Sequence, residues 1–274
     1  MDKYAVLGNP IKHSRSPAIH AMFREETSQD MEYSALLCPL GEFAGTADRF
    51  RAEGGKGLNI TVPFKEDAFR YADILTDRAR TAGAVNTLRF NDDGTVLGDN
   101  TDGAGFIADL NRLGFSVSGK RVLVMGAGGA ARGILKPLLD EKPAYLFVAN
   151  RTVAKAMALA DLFPGIHAGS YEDLNREEPF DILVNATSGS LSGTVPPLPD
   201  KIMTDNAWAY DLMYTSTGRT VFLDWAQEHG AGSVSDGLGM LVGQAQESFR
   251  LWRGVAPDPE RALKALREML KAGS

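Results

Sequence analysis

Val124-Met125-Gly126-Ala127-Gly128-Gly129-Ala130-Ala131 decides how this chain folds. The apolar run Arg121–Met125 leads into it, and a helix-forming stretch over about 130–140 leaves it. Gly126, Gly128 and Ala131 stand where a dinucleotide-binding turn needs small residues. The first permits the tight turn, the second lets a pyrophosphate reach the backbone, and the third lets helix and strand pack closely. The start of the helix then offers free N–H groups to phosphates. Any tight turn between strand and helix tolerates glycine. The apolar strand before this one and the helix after it are what point to a nucleotide.

Working outward, the next strand, Tyr145–Ala149, ends in Asn150-Arg151-Thr152. A site that prefers NAD places an acid about 20 residues past the glycines, where it holds the ribose 2′-hydroxyl. This chain has Asn150 and Arg151 there. A guanidinium neutralises a 2′-phosphate and stacks on adenine, and Thr152 and Lys155 add polar groups nearby. A lone arginine at such a turn is ordinary surface chemistry; beside the glycine motif it favours NADP over NAD. Further strands are predicted at 181–185 and 209–212, the first ending in Asn185-Ala186-Thr187-Ser188. Strand C-termini line the crevice of open α/β sheets, so Thr187 either faces the cofactor or forms a polar turn.

Upstream, the same alternation predicts strands at 4–8 and 58–62, with helices over 17–26 and from Pro63. Asp93-Gly94 separates two strand-like segments within 84–98, which reads as a hairpin. A helix over about 103–113 links this region to the next. The pattern is α/β: an N-terminal α/β substrate domain over 1–102, then a Rossmann-like, doubly wound NADP-binding domain over 103–237. At the C-terminal end, Leu238, Leu241, Val242, Ala245, Phe249 and Trp252 recur at helical spacing. Asp258-Pro259-Glu260 opens a last helix, with Asp258 as N-cap and Leu263, Leu266, Met269 and Leu270 as its apolar face.

Polar residues collect at the ends of the N-terminal elements. Ser16, before Pro17, reads as the N-cap of a helix. Together with Ser14 it also offers hydroxyls to a carboxylate at that helix start. Asn59 and Thr61 alternate with Ile60 and Val62, so the two polar side chains share a face suited to a hydroxylated ligand. Lys65 falls in the first turn of the following helix, where a cation opposes the helix dipole. That local cost fits a functional lysine, although a solvated surface lysine has the same spacing. Asn86 lies on a neighbouring strand segment. Asp102 precedes the linking helix, either as its N-cap or, if it meets Lys65, as half of a proton-handling pair at the mouth of an interdomain cleft.

Composition narrows the partners. The net charge of −6 is spread along the 274 residues, with no basic stripe for nucleic acid. No apolar run approaches the ~20 residues of a membrane span. The single cysteine, Cys38, and the scattered His13, His20, His167 and His229 offer no metal-ligand spacing, so no metal is expected. One thiol and an N-terminus without a signal pattern fit the cytoplasm. The expected partner is a small molecule, with neither nucleic acid nor membrane, in a monomer or homodimer.

These residues, in this order, resemble the shikimate dehydrogenase family over essentially the whole chain. The resemblance rests on the segments at 14–17, 59–65, 83–87, 99–103, 126–131, 150–152, 185–188, 211–214 and 236–244. It implies reversible, NADPH-dependent reduction of 3-dehydroshikimate to shikimate, in aromatic amino-acid biosynthesis. It implies Ser14 and Ser16 on the substrate carboxylate, and Asn59, Thr61, Asn86, Asp102 and Gln244 on hydroxyls or the reacting oxygen, with Tyr214 nearby. Lys65 becomes the catalytic acid/base, paired with Asp102. Gly126, Ala127, Gly128, Gly129 and Ala130 take the pyrophosphate, Asn150, Arg151, Thr152 and Lys155 the adenine ribose phosphate, and Leu212, Met213, Gly237 and Met240 the neighbourhood of the nicotinamide. Helices over 238–274 would return to complete the first domain. A broader quinate/shikimate dehydrogenase that also accepts NAD, and a non-catalytic NADP sensor, are the alternatives; the sensor would need neither Lys65 nor Asp102.

Overall fold

The computed structural model describes residues 1–273; Ser274, the end of the expected C-terminal segment, lies outside the described residues. The chain forms two compact units, Met1–Gly105 with Val242–Leu266, and Phe106–Leu241 with the residues from Arg267 on.

The first unit runs β1 (Asp2–Gly8), α1 (Ser16–Thr27), β2 (Met31–Leu37), α2 (Phe43–Ala52), β3 (Gly55–Ile60), α3 (Lys65–Tyr71), β4 (Ile74–Leu75), α4 (Asp77–Ala82), β5 (Thr87–Phe90) and β6 (Val96–Asp99). Its six-stranded sheet has the order β2-β1-β3-β5-β6-β4. β1 pairs in parallel with β2 and β3, whereas β5 runs antiparallel to β3 and β6. The β5–β6 hairpin forms where Asp93-Gly94 predicted it, with Gly94 at φ +92°. Leu7, Leu58, Phe64 and Leu88 are fully or almost fully buried in its core. α9 (Leu238–Arg253) brings Trp252 into this unit. The indole stacks on Tyr4 at 4.6 Å and donates from Nε1 to the Leu88 carbonyl at 2.9 Å. Gly57 leaves room for it: a Cβ there would lie 2.5 Å from that nitrogen.

The second unit is a six-stranded, all-parallel sheet in the order β12-β11-β10-β7-β8-β9. α5 (Asp102–Arg112) leads in, followed by β7 (Arg121–Met125), α6 (Gly129–Asp140), β8 (Tyr145–Ala149), α7 (Val153–Leu162), β9 (Ile166–Gly169), β10 (Phe180–Asn185), β11 (Met203–Asp211), α8 (Val221–Glu228) and β12 (Ser233–Asp236). Val122, Val124, Val148, Ile182 and Val184 pack into one apolar layer. Leu123, Met125, Phe147 and Leu183 pack into the other. Both faces are covered, which is why these strands read as continuous apolar runs rather than alternating ones. This is the doubly wound, Rossmann-like arrangement.

Local expectations needed correction at three helix starts. Ser16 is not the N-cap of α1: the Ile19 N–H bonds the Arg15 carbonyl at 3.1 Å, so the helix begins one residue early and Arg15 holds the cap position without a side-chain bond. Pro63 does not open α3. The Phe64 N–H closes a turn on the Thr61 carbonyl at 3.1 Å, and the helix begins at Lys65. Asp102 opens α5 rather than capping it, its own N–H bonding Asn100 Oδ1 at 3.2 Å. At the C-terminal end, Asp258 does cap α10 (Pro259–Ala272), accepting the Glu260 N–H at 2.9 Å. Ala262, Leu266 and Leu270 form the buried stripe of α10 at four-residue spacing, which turns Met269 outward at 49% exposure.

Candidate active site

In the first unit the start of α3 and the start of α5 place Lys65 against Asp102, Nζ to Oδ2 at 2.5 Å. The two side chains are 29% and 12% exposed, so the pair is sheltered but open to a ligand. The Asn86 amide donates to the other carboxylate oxygen of Asp102 at 2.8 Å and to Thr101 Oγ1 at 2.9 Å. Its carbonyl accepts the Thr101 N–H at 2.9 Å. Asp102 thus reaches Lys65 with its orientation already set by Asn86. The Lys65 carbonyl accepts the Val85 N–H at 2.9 Å, which ties the lysine's backbone to the segment that carries Asn86 into β5.

The segment before Asp102 is anchored by charge. Burial pushes the Asp99 carboxyl upward. Arg78, donating through Nε and Nη2 at 2.7 and 2.5 Å, outweighs it with help from Thr76 and the Asn100 N–H, leaving the group below its ordinary value.

Asn59 is buried. Its amide nitrogen faces three acceptors, the Asn86 carbonyl, Thr87 Oγ1 and Ser248 Oγ, at 3.2, 3.1 and 2.9 Å. Its Oδ1 accepts the Tyr33 hydroxyl at 2.7 Å. Burial raises the Tyr33 phenol well above its usual range, with a hydrogen bond to Ser16 pulling the other way. Ser14 Oγ accepts the Ser16 N–H at 3.4 Å. Gln244 Oε1 lies 3.4 Å from the Asn86 amide, and its carbonyl accepts Thr101 Oγ1 at 3.0 Å. Thr61 holds the end of β3, its N–H on the Leu7 carbonyl at 3.0 Å. Lys65, Asp102, Asn86, Gln244 and Asn59 thus form one continuous polar network. Tyr33, Thr87, Thr101 and Ser248 were not singled out from sequence. Nothing in their local pattern marks them; only the long-range pairings do.

In the second unit a cavity of about 670 Å³ lies over the glycine turn. Gly126, Ala127, Gly128, Gly129, Ala130, Asn150, Arg151, Thr187 and Met213 line it, all expected cofactor residues. Thr152, Lys155, Leu212, Gly237 and Met240 are not part of that lining, whereas Tyr171, Ser192, Thr194 and the loop at Val195-Pro196-Pro197 are. Gly126 has φ +103° and turns beneath the Ala186 carbonyl. A Cβ on Gly128 or Gly129 would meet no atom within 4 Å, so the glycines open space above a helix start that no side chain caps. Such a start suits a phosphate, and Arg151 supplies a cation on the same wall. Burial raises the Tyr171 phenol, and the charge of Arg151 opposes that rise. Gly237 adjoins Met213 and Leu212 through backbone: its N–H bonds the Met213 carbonyl at 3.1 Å, and a Cβ on it would collide with the Leu212 carbonyl.

Among the described residues no cluster of three or more His, Cys, Asp or Glu is placed to hold a metal, and no helix is long and apolar enough to cross a membrane.

Three family models match the chain: the shikimate dehydrogenase substrate binding domain over residues 6–88, shikimate / quinate 5-dehydrogenase over 109–192, and the shikimate 5′-dehydrogenase C-terminal domain over 237–267. The shikimate dehydrogenase (NADP(+)) of Cellvibrio japonicus is 54% identical over 272 residues, covering 98% of both chains. An Ael1 enzyme from Pseudomonas putida superposes with a TM-score of 0.91 at 45% identity, again over 98% of each chain. Shikimate 5-dehydrogenase from Thermus thermophilus, solved with NADP(H) and shikimate, gives 0.87 at 36% identity over 98% of this chain and 100% of its own.

Proposed function

The chain belongs to the shikimate dehydrogenase family, and from that premise we propose that it reduces 3-dehydroshikimate reversibly to shikimate with NADPH, using Lys65 as acid/base and Asp102 as its partner. The observation that carries this reading is the 2.5 Å Lys65–Asp102 contact inside a network of hydrogen-bonded polar side chains. A protein that only sensed NADP would need the glycine cavity but not that pair.

Ser14 and Ser16 hold the substrate carboxylate, and Asn59, Thr61, Asn86, Asp102 and Gln244 hold its hydroxyls and reacting oxygen, with Tyr214 nearby. Asn59 has its amide hydrogens engaged and one oxygen lone pair taken by Tyr33, so it meets a ligand as an acceptor. Bound at Gly126–Ala130, Asn150, Arg151, Thr152, Lys155 and Thr187, with Leu212, Met213, Gly237 and Met240 toward the nicotinamide, NADPH supplies the hydride. As the ketone oxygen gains charge, the Lys65 ammonium stabilises it and donates a proton. Asp102 keeps Nζ aimed while its carboxylate accepts from a substrate hydroxyl. In the reverse direction Lys65 takes the proton back.

The test is NADPH consumption with 3-dehydroshikimate. Tight NADP binding with no turnover would support a sensor instead. Rates with quinate and with NAD decide whether specificity is broader. Arg151, standing where an NAD site carries an acid, predicts a preference for NADP. We place the enzyme in the cytoplasm, as a monomer or homodimer. We assign substrate binding to 1–102 with the helices from 238 on, and the cofactor to 103–237.

A further inference from the structure

The Arg267 side chain comes from α10, which carries none of the residues assigned to either ligand, yet it grips the segments that carry the wall assigned above to the nicotinamide. Its Nη1 donates to the Thr215 carbonyl at 2.7 Å and to Asp236 Oδ2 at 2.8 Å, and its Nη2 to Asp236 Oδ1 at 2.5 Å. This is a two-pronged pairing of guanidinium with carboxylate, the geometry that fixes orientation as well as charge. The Asp236 side chain is only 3% exposed and also accepts the backbone N–H groups of Thr215 and Leu238, at 3.3 and 3.4 Å. One carboxylate therefore joins the turn after β11 to the end of β12 and the start of α9, and Arg267 neutralises it.

The pieces so joined are the ones that shape the cofactor side. The Gly237 N–H bonds the Met213 carbonyl, and a Cβ on Gly237 would collide with the Leu212 carbonyl, so these two backbones are in contact. Met213 lines the same cavity as the glycine turn. The guanidinium also packs beside Gly218, where a Cβ would lie 3.5 Å from it.

We propose that Arg267 is a positioning residue for hydride transfer: through Asp236 and the Thr215 carbonyl it holds the Met213–Gly237 wall at the spacing the nicotinamide requires. The proposal rests on the NADP site assigned above. Without the guanidinium, Asp236 is left as a buried carboxylate with no cation, and the turn after β11 loses an anchor. Small displacements of a wall remote from the reacting atoms suffice to lower turnover.

The test separates positioning from stability. R267M should lower the thermal midpoint, because it strands a buried charge. Adding Asp236→Asn removes that charge and should return the midpoint toward wild type. If Arg267 positions the cofactor, the double variant still shows an NADPH KM raised on the order of tenfold, turnover lowered by roughly ten- to a hundredfold, and a larger primary isotope effect with 4-deuterated NADPH. Its shikimate affinity stays at the wild-type value. Arg267→Lys, keeping one charge but not the fork, should fall between. Wild-type KM, turnover and isotope effect in R267M or in the double variant would overturn the proposal. So would shikimate and NADP affinities falling together. A wild-type protein that fails to turn over 3-dehydroshikimate sinks the assigned reaction, while NADP affinity by calorimetry across the same variants still tests Arg267.

Discussion

At the scale of single residues, two buried or half-buried ionisable groups make opposite predictions. Lys65 sits at 29% exposure against Asp102 and has a chemical task. Lys65→Ala should lower turnover by roughly 10²–10⁴-fold, the usual cost of losing a positioned acid/base, with NADP affinity unchanged in calorimetry. Near-normal turnover would remove the lysine from the mechanism. His20 has no such task. It is completely buried on α1, stacked on Tyr33 at 4.0 Å, and burial lowers its pKa from 6.5 to about 3. Between those values the unfolded chain carries a proton on this ring and the folded chain does not. Stability must then fall as pH drops below about 6.5, at roughly 1.4 kcal/mol per pH unit for this group. His20→Phe keeps an aromatic ring in the stack and removes the titration. Urea midpoints measured at pH 7 and pH 5 should differ less in that variant than in the wild type, and an unchanged difference would refute the assignment.

At the scale of elements, legibility followed burial. β7 and β8 stand at the residues predicted, because a parallel sheet covered on both faces forces an unbroken apolar run. The starts of α1, α3 and α5 slipped by a residue or two, because one backbone bond, such as Ile19 to Arg15, decides where a helix begins. In the site, Lys65, Asp102, Asn86 and the glycine turn were visible as residue types at particular element ends. Tyr33, Ser248 and Tyr171 were not, since each acts through a partner on another element. The glycine turn also makes a prediction as an element, because its glycines serve different ends. Gly126→Ala forces φ +103° on an alanine and brings its Cβ to 3.1 Å from the Ala186 carbonyl. It should cost about 1–3 kcal/mol of stability. Gly128→Ala and Gly129→Ala meet open space. Each should leave stability within about 0.5 kcal/mol, yet weaken NADP binding by filling the volume over the helix start. Denaturation midpoints and NADP titrations on the three variants check the split. Equal stability losses at all three positions would mean that Gly128 and Gly129 are structural.

At the scale of the whole molecule, the first unit is discontinuous in sequence, and its interior explains why. Buried groups of residues 1–105 take part of their pairing from the returning segment. The Asn59 amide donates to Ser248, Thr101 to the Gln244 carbonyl, and the Leu88 carbonyl accepts from Trp252. His20 and Phe23 lie against Phe249, which is itself fully buried. Removing 242–266 would take one hydrogen-bond partner from each of these three groups and leave that apolar surface in water, against a net stability of only about 5–15 kcal/mol. Gly105 and Gly243 meet backbone to backbone: a Cβ on Gly243 would lie 3.0 Å from the Gly105 Cα. The two segments of the unit therefore come within reach of a short glycine–serine linker. A fragment of 1–105 should show no cooperative urea transition. The same fragment joined by that linker to 242–266 should unfold cooperatively and bind shikimate without binding NADP. Circular dichroism and calorimetry read both outcomes. A cooperative transition in 1–105 alone, near the midpoint of the full chain, would mean that the returning helix only decorates a fold already complete without it.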